Sequence, residues 1–505
     1  MDNSPFRFNL IDDPWINVVG RPSQSLKTLF SDLSITRFSG NAIDKIVLLR
    51  FMLSLAHAAV DVPDSSAWQA LTPELLSEKL LAYLDKHHDK FELFGEKPFL
   101  QFPPLKKGNP EKFQPYTLPI PQVSRGNNLV LSHWNLSPQI DTADLPLLLL
   151  RSCCCAMGGK RIDNAFVLTP NYTGKLNDKN NVASGSYGVL LGKEGYLHCY
   201  LMGETLLETI KLNMLTEEEL RDFRVPKDIG RPAWENMPSG EDCPRAQEYK
   251  KSYQGILLPL GKFLLIMPEI KRFAITDGIA YPNESELICD PAITISVNKD
   301  RKVPLWASTE VRPWRQLSAI FEFLRSQSAT ELSPLLLSAG IGKMLPGQTL
   351  HIWAGGLHVS VESGEQCIKQ KDDYVESEFY FPVDELAGYS YAKFCNLMAL
   401  IESKVKKLRK SIDGYLTELQ VPEIQRKMMI SAVITTFWQL AEKDAQKIID
   451  VSFGENIAEV EQLEKKWDSL VLQLYSENCP FGTARQLMTW SENKPFSHTK
   501  TKKKG

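Results

Sequence analysis

The chain has 505 residues, of which 43% are hydrophobic and 24% are charged, and its formal net charge is −3. This composition is typical of folded globular proteins and excludes collagen-like, fibrous or extensively disordered chains. The length predicts two or three domains. The small negative charge argues against a protein that binds nucleic acid by itself, because such proteins usually carry a clear basic excess that neutralises phosphates.

The N-terminal sequence and the cysteines predict the cellular compartment. The first ten residues lack a basic stretch followed by an apolar one, and no window approaches the roughly 18 apolar residues of a membrane span. The nine cysteines, three of them adjacent at Cys153, Cys154 and Cys155, form no evenly spaced framework. That pattern is typical of a reducing compartment. We therefore expect a cytoplasmic protein with buried free thiols.

Up to residue 380 the sequence mixes short strand-like runs with helical patches and many prolines. Residues 44–59 predict a helix that is apolar on nearly every side, and residues 72–84 predict a second helix. The apolar runs at 256–259 and 293–297 are typical of strands. The segment 1–380 is thus expected to form an irregular mixed α/β domain.

Beyond Pro382 apolar residues recur at steps of three and four, which is typical of amphipathic helices. The three stripes consist of Leu397, Ile401, Val405, Leu408, Ile412 and Leu416, then Met429, Val433, Phe437 and Leu440, then Ile457, Val460, Leu463, Trp467, Leu470 and Leu474. A fourth helix is expected after Pro480. Breaks at Pro422, Gly454 and Pro480 then predict an antiparallel four-helix bundle over residues 381–495, followed by a disordered basic tail at 496–505. The predicted fold class is α+β.

Catalytic motifs are missing from the sequence. It contains no HExxH, GxSxG, Walker GxxxxGK[ST] or GxGxxG pattern and no paired CxxC of zinc spacing. We therefore predict that the protein is not an enzyme and that it has no catalytic residue, metal site or cofactor. The alternative is an unrecognised metal-dependent hydrolase with ligands among His87, His88, His133 and His198, although adjacent helical side chains such as His87 and His88 point about 100° apart.

A basic run lies in the first of the predicted C-terminal helices. Lys404, Lys406, Lys407, Arg409 and Lys410 place five cations in seven residues, and from Glu385 onwards the chain has 18 Lys and Arg against 15 Asp and Glu. The apolar stripe of the same helix predicts that these cations cluster on the solvent face. Such a face can follow a phosphate backbone without reading sequence, or it can be an ordinary solvated surface.

Five short segments resemble, in order and spacing, those of the CasA family, the large subunit of the type I-E CRISPR Cascade complex. The segments are NLIDDPWINV at 9–18, KPFLQ at 97–101, RPAW at 231–234, PWRQLS at 313–318 and HIWAGG at 351–356. The resemblance extends over nearly the whole chain, with the predicted bundle in the expected place. It is carried by order and architecture more than by any single match.

The resemblance to CasA implies a non-catalytic subunit that recognises the protospacer-adjacent motif (PAM) in double-stranded DNA. Such a subunit opens the duplex so that the crRNA can pair and an R-loop can form. The implied partners are the double-stranded target, the displaced single strand, and the backbone, 5′-handle-binding and small subunits of a crRNA-containing complex. An effector helicase-nuclease is a further implied partner, and a membrane is not. A scaffold that makes no DNA contact remains the other alternative.

The resemblance also implies site residues. A glycine-rich loop is expected at Ala183, Ser184, Gly185 and Ser186, and a cationic finger at Lys271 or Arg272, of which Arg272 is favoured. A wedge is expected after a turn at Gly355 and Gly356, with His358, Ser360 and Gln366 as its polar residues. DNA backbone contacts are expected from Lys404, Lys406, Lys407, Arg409, Lys410, Arg426 and Lys427. The loop has one glycine and the wedge lacks the family's Asn-Asn-Gln, so no particular PAM sequence is implied.

Overall fold

The computed structural model separates the chain into two compact units. The residues it describes are 6–117, 139–155, 157, 167–170, 172, 188–222, 228–281, 290–298, 301–321, 334–345, 347–362, 365–368, 373–382, 389–454 and 457–496. The first unit comprises Met1–Pro313, Ala319–Met344 and His351–Glu378, and the second comprises Trp314–Ser318, Leu345–Leu350 and Phe379–Gly505. The last junction lies two residues before the predicted one, and the second unit also takes two short segments from earlier in the sequence.

Helices dominate the described part of the chain before residue 345. They are α1 (Leu26–Ser31), α2 (Ala42–Ala59), α3 (Ser65–Ala70), α4 (Pro73–Lys86), α5 (Leu145–Cys155), α6 (Leu206–Asn213), α7 (Glu217–Asp222), α8 (Pro244–Tyr249), α9 (Tyr253–Leu257), α10 (Leu317–Phe321) and α11 (Leu335–Gly342). The two helices predicted at 44–59 and 72–84 are confirmed as α2 and α4.

Helix α2 lies at the centre of the first unit. It begins with a capping box, in which the Asn41 side chain accepts from the Asp44 amide at 3.1 Å and the Asp44 carboxylate accepts from the Asn41 amide at 3.2 Å. Because nearly all of its residues are buried, it packs against α4, α5, α6 and α9 at once. Its buried Arg50 is neutralised by Asp290 at 2.9 Å. The predicted all-round apolar helix thus forms the core of the unit.

The strands form small sheets, and the fold class is α+β, as predicted. They are β1 (Gln114–Pro115), β2 (His198–Leu201), β3 (Lys262–Met267), β4 (Arg272–Asp277), β5 (Ile295–Asn298), β6 (Arg301–Pro304), β7 (Thr349–Leu357), β8 (Ser360–Glu362), β9 (Glu365–Cys367) and β10 (Tyr374–Pro382). The three-stranded sheets have the orders β1-β4-β3 and β10-β7-β2, and β5-β6 and β8-β9 form two-stranded sheets. The β1–β4, β3–β4 and β2–β7 pairs are antiparallel.

One strand prediction is confirmed and another is wrong. The run at 293–297 contributes to β5, whereas the run at 256–259 does not form a strand. Helix α9 occupies the first half of the run at 256–259, because the Ser252 hydroxyl caps the helix by accepting from the Gly255 amide at 3.2 Å.

The predicted buried thiols are confirmed for Cys153, and burial raises the pKa of its thiol to about 12.

The second unit contains five helices within its described residues. They are α12 (Tyr389–Glu418), α13 (Glu423–Ala441), α14 (Ala445–Phe453), α15 (Ile457–Asn478) and α16 (Ala484–Glu492). Helix α12 contacts each of the other four. Breaks occur at the three predicted positions, but a further one at Glu442–Asp444 divides the second predicted helix into α13 and α14. The prediction of four helices therefore understated their number.

The predicted apolar stripes are correct for α12 and partly wrong for α13. All six predicted residues of α12 are buried, from Leu397 to Leu416. In α13, Met429 is 43% exposed, because the neighbouring Ile430 takes the inward position and begins the buried stripe that continues to Ala441. Within the described residues, no helix combines the length and the apolar character that crossing a membrane would require.

Candidate nucleic-acid interface

The turn between β3 and β4 presents the two cations predicted as a finger. Strand β3 ends at Met267, a short 3-10 turn follows at Pro268–Ile270, and Lys271 then adopts a left-handed conformation with φ 51° and ψ 50°. That conformation costs a non-glycine residue about 1–2 kcal/mol. Lys271 is exposed and has no side-chain partner among the described residues. The turn therefore presents, at the end of the β3–β4 hairpin, an ammonium group that no other described side chain engages.

Arg272 lies beside Lys271 but is tied down. It opens β4 and is paired in register with Pro115 of β1. Its Nη1 donates to the backbone oxygen of Phe113 at 2.8 Å. This bond braces the short edge strand against the hairpin. The resemblance favoured Arg272 as the finger. Of the two side chains, Arg272 is held by the Phe113 oxygen, whereas Lys271 has no partner among the described residues.

Three further lysines lie close to this hairpin, and the sequence analysis did not single them out. They are Lys106, Lys107 and Lys112, all exposed. They flank Gly108, which packs on the ring of Phe113, the residue that accepts the Arg272 bond. The signal for them was the run PPLKKGNPEK, which holds three lysines and a single acid in ten residues.

Gly355 and Gly356 do not form the predicted turn. They lie inside β7, where Gly355 pairs with His198 of β2. A Cβ on Gly355 would lie 2.6 Å from the ring of Trp353, and one on Gly356 would lie 2.4 Å from the backbone oxygen of Tyr196. The glycines are therefore required for close packing inside a central strand, and the prediction of a Gly-Gly turn was wrong.

The predicted wedge residues have different environments. Gln366 is fully buried, and its Nε2 donates to the backbone oxygens of Gly192 and Lys193 at 2.8 Å each. His358 is half-buried and its Nδ1 lies 3.0 Å from the oxygen of Ala307. Ser360 opens the β8–β9 hairpin, and next to it Val361 is 38% exposed. Among the described side chains of this segment, Val361 is exposed, whereas His358 and Ser360 are both half-buried.

The predicted glycine-rich loop, Ala183 to Ser186, lies outside the described residues, as does His133.

The basic run of α12 is divided by the helix between the interior and the surface. Lys404 is buried and its ammonium lies 2.8 Å from Glu464 and 2.7 Å from Asp468 of α15. Burial opposes its charge, but the hydrogen bonds to Asp468 and Glu464 raise the pKa of Lys404 overall. The prediction that Lys404 faces solvent was therefore wrong, and this lysine instead ties α12 to α15.

The other four cations of the run are exposed as predicted: Lys406, Lys407, Arg409 and Lys410. None of them lies within ion-pair distance of a carboxylate among the described residues. On α13, Arg426 is half-buried with its Nε 3.3 Å from Asp413, and Lys427 pairs with Glu423 at 2.6 Å. Arg426 and Lys427 thus lie beside carboxylates, whereas the four α12 cations have no carboxylate partner among the described residues.

Three of the four histidines of the hydrolase alternative lie among the described residues, and each has its own separate environment. His198 is buried in β2 with Nε2 2.8 Å from the oxygen of Leu190, and burial lowers its pKa. His87 lies 4.0 Å from Glu235, and His88 lies 2.7 Å from Asp12. Among the described residues, no group of three or more His, Cys, Asp or Glu side chains is placed to hold a metal ion.

Comparisons with known proteins agree with this architecture. The family model described as CRISPR-associated protein Cse1 matches residues 9–476. The CRISPR-associated protein CasA/Cse1 of Thermus thermophilus is 31% identical over 137 residues, a stretch that spans 25% of this chain and only 26% of that protein. The similarity to this curated relative therefore covers about a quarter of its length.

Solved structures extend the likeness over the whole fold. The crystal structure of Thermobifida fusca Cse1 has a TM-score of 0.72 at 15% identity, with 96% of this chain and 97% of that chain covered. A chain of a CRISPR RNA-guided surveillance complex has a TM-score of 0.59 at 17% identity, with 98% and 100% covered. The fold is shared at low identity, and the family match spans nearly the full sequence. The chain belongs to the CRISPR-associated Cse1 family.

Proposed function

We propose that this chain is the large, non-catalytic subunit of a Cascade-type complex and that it recognises the PAM in double-stranded target DNA. Its proposed partners are the other crRNA-containing subunits, target DNA, the displaced single strand and an effector helicase-nuclease, and its proposed location is the cytoplasm. Family membership and the likeness to a chain of an RNA-guided surveillance complex support the assembly. The free ammonium of Lys271, at the end of the β3–β4 hairpin, supports the DNA-reading role.

The chemistry of Lys271 suits a minor groove. The groove presents acceptor atoms on its base edges and a negative potential that attracts cations. An ammonium group carries three donors and no acceptor, and here no protein group among the described residues competes for them. The brace between Arg272 and Phe113, at 2.8 Å, limits movement of the hairpin that carries Lys271. A rigidly placed cation discriminates between base pairs better than a mobile one.

Duplex opening is proposed to involve the β8–β9 hairpin. Ser360 and the exposed Val361 lie on its first strand, so a polar and an apolar group are available to enter a base step. Insertion of an apolar side chain unstacks base pairs at a cost of a few kcal/mol. Gln366 supports the hairpin from inside through its bonds to Gly192 and Lys193. We therefore assign Gln366 to support rather than to contact with DNA.

The exposed face of α12 is proposed to follow the phosphate backbone of target or displaced DNA. Lys406, Lys407, Arg409 and Lys410 supply four charges that no described carboxylate pairs with. Phosphate contacts of this kind add affinity that falls with salt and carry no sequence information. The net charge of −3 agrees with a subunit that depends on its partners for tight DNA binding.

The PAM-reading role can be tested with the full chain reconstituted with its crRNA-containing partners. Binding is measured to duplexes with a randomised PAM for the wild type and for K271A, R272A, H358A, S360A and Q366A. We expect K271A to flatten the PAM preference most, because it removes the free donor. Unchanged selectivity in every variant would overturn the proposal.

Reversing three charges of α12 distinguishes the proposed DNA-binding subunit from a scaffold that makes no DNA contact. The variant K406E/K407E/K410E is compared with K443E/K447E/K465E, which reverses three exposed lysines elsewhere in the second unit. We expect the first variant to weaken DNA binding by the assembled complex and the second to leave it near the wild-type value. Equal binding by all three proteins would favour a scaffold with no DNA contact by α12.

A further inference from the structure

Three aromatic side chains on and around α16 reach the surface of the second unit, and we name them the aromatic strip: Phe481, Trp490 and Phe496. Phe481 precedes the helix and is 51% exposed. Trp490 lies in the last turn of α16 and Phe496 follows the helix, and both are half-buried. The rings of Phe481 and Trp490 are in contact, with their centroids 5.3 Å apart.

The residues after α16 run along α12 towards its basic run. Asn493 follows the last residue of α16 and lies so close to Gly414 that a Cβ on this glycine would be 2.2 Å from the Asn493 side-chain oxygen. Three residues later, the Phe496 ring lies 5.0 Å from the Nζ of Lys407. Lys407 precedes Gly414 by two helical turns, a distance of about 10 Å along the axis. The chain therefore runs antiparallel to α12 and brings the third ring of the strip to the basic run.

The position of the Phe496 ring is fixed by contacts with α12. Its backbone has φ 60°, which is rare for a bulky side chain and persists only where the surroundings hold it. The ring also lies 5.3 Å from the Nζ of Lys404, which Glu464 and Asp468 bind at 2.8 and 2.7 Å. The buried lysine of the basic run thus holds the ring beside the exposed lysines.

Cations accompany the rings of the strip. Lys494 is exposed and its Nζ lies 5.0 Å from the centroid of the Trp490 ring. Lys407 has the same relation to Phe496. Neither lysine is within ion-pair distance of a carboxylate in the part of the chain that the structure describes. Glu492 is the single acid between Trp490 and Phe496 in the sequence. A nucleotide whose base stacks on either ring therefore has a cation within reach of its phosphate.

Rings beside unpaired cations fit single-stranded nucleic acid better than a duplex or a protein. Single-strand-binding proteins combine a positive surface for phosphates with aromatic side chains on which successive bases stack. The bases of a duplex are already stacked on each other and paired. Protein interfaces, in contrast, are depleted of lysine, so the carboxylate-free lysines beside the rings argue against a protein partner.

We propose that the aromatic strip binds the displaced single strand, with unpaired bases stacked on Phe481, Trp490 and Phe496 and phosphates bound by Lys407 and Lys494. The inference rests on the proposed function and adds to it the kind of strand that the α12 face holds. Stacking tolerates any base, so the strip stabilises the opened state of the target without adding sequence preference.

The test uses the full chain assembled with its crRNA-containing partners and bound to a PAM-bearing target. The rate of release is compared for the wild type and F481L/F496L, which keeps the apolar character and removes two rings. We expect release to be roughly tenfold faster in the variant, since each stacked base contributes substantially to binding. The single variant F481L, at an exposed position that the fold does not require, should show a smaller increase in the same direction.

A second target lacks the displaced strand opposite the crRNA. On this target we expect F481L/F496L and the wild type to be released at the same rate. Equal release on the complete target would overturn the inference. A difference that persists without the displaced strand would overturn it as well, because the strip would then hold RNA or the target strand.

The matched control is L487A/M488A, which removes two exposed apolar side chains of α16 that carry no ring, 52% and 64% exposed. We expect its release from the complete target to equal that of the wild type. If the control accelerates release as much as F481L/F496L, the effect comes from a general apolar surface and the inference fails. Weaker incorporation of F481L/F496L into the crRNA complex would also overturn it, because the strip would then be a protein interface.

Failure of the strip and failure of the proposed function give different results. If the wild-type complex prefers one PAM and F481L/F496L is released like the wild type, the strip is wrong and PAM reading stands. If the wild-type complex does not bind target DNA, the proposed function fails. Binding of single-stranded oligodeoxythymidine to the assembled complex, compared between the wild type and F481L/F496L, then still reports whether the strip holds a single strand.

Discussion

The β3–β4 turn and the segment from β7 to β9 were both expected to contact DNA. In the fold the turn is exposed, whereas the second segment is largely buried. The turn places Lys271 in a strained left-handed conformation at the surface, with its charge unpaired. The second segment buries Gly355, Gly356 and Gln366 and leaves mainly the β8–β9 hairpin exposed. One segment can thus support a surface by packing, while another presents the exposed side chains.

The largest effect on stability is expected for a substitution at Gly356, inside β7. In G356A the new Cβ would lie 2.4 Å from the backbone oxygen of Tyr196, an atom that cannot move without disturbing β2. We expect the free energy of unfolding to fall by about 1–3 kcal/mol, measured by urea denaturation. The control is G342A at the end of α11, where a Cβ meets nothing within 4 Å. Equal stability of both variants would show that β7 is less tightly packed than described.

A smaller loss is expected at Gln366. Q366L removes two hydrogen bonds and leaves the backbone oxygens of Gly192 and Lys193 without that partner. The free energy of unfolding should fall by roughly 1–2 kcal/mol, while the ranking of PAM sequences by the assembled complex stays the same. A variant that unfolds like the wild type but reverses the PAM ranking would place Gln366 at the DNA instead of in the interior.

Arg272 should show a still smaller effect on stability. R272A removes the bond to Phe113, which is only partly buried, so water can replace the donor. We expect a loss of about 0.5–1 kcal/mol and faster hydrogen exchange in β1, because the brace of that short strand is gone. If R272A lost the PAM preference and K271A retained it, Arg272 rather than Lys271 would be the residue that contacts the PAM.

Lys271 should contribute least to stability. Glycine adopts the left-handed conformation without strain, so K271G should unfold with the same free energy as the wild type or with a gain of up to about 1 kcal/mol. A clear loss of stability in urea denaturation would mean that the lysine side chain holds the turn together. It would then be a structural residue and not a free donor.

The sequence predicted the features that depend on local periodicity. The all-round apolar helix α2, the amphipathic α12 and the chain breaks at Pro422, Gly454 and Pro480 follow from spacing alone. Residues whose environment depends on distant parts of the chain were not predictable in the same way. Lys404 lies in a basic run but is buried, because Glu464 and Asp468 approach it from α15, about 60 positions away.

The candidate site shows the same limit. The resemblance implied a cation at Lys271 or Arg272. The bond that engages Arg272 comes from the Phe113 oxygen, which lies 159 residues away in the sequence. The Gly-Gly pair was predicted to form a turn, and only the pairing of β7 with β2 shows that it lies inside a strand. Non-local contacts therefore decide which polar residues remain available to a ligand.

The proposed role of Lys271 is tested most directly by comparing K271G with K271R in the reconstituted complex. The ratio of affinities for a duplex with the preferred PAM and one with a scrambled PAM is measured at fixed salt. We expect K271G to lower this ratio roughly tenfold, since a base-edge contact contributes about 1–3 kcal/mol, and K271R to retain most of it. A ratio that stays at the wild-type value in K271G would contradict the assignment of Lys271 as the PAM-reading residue.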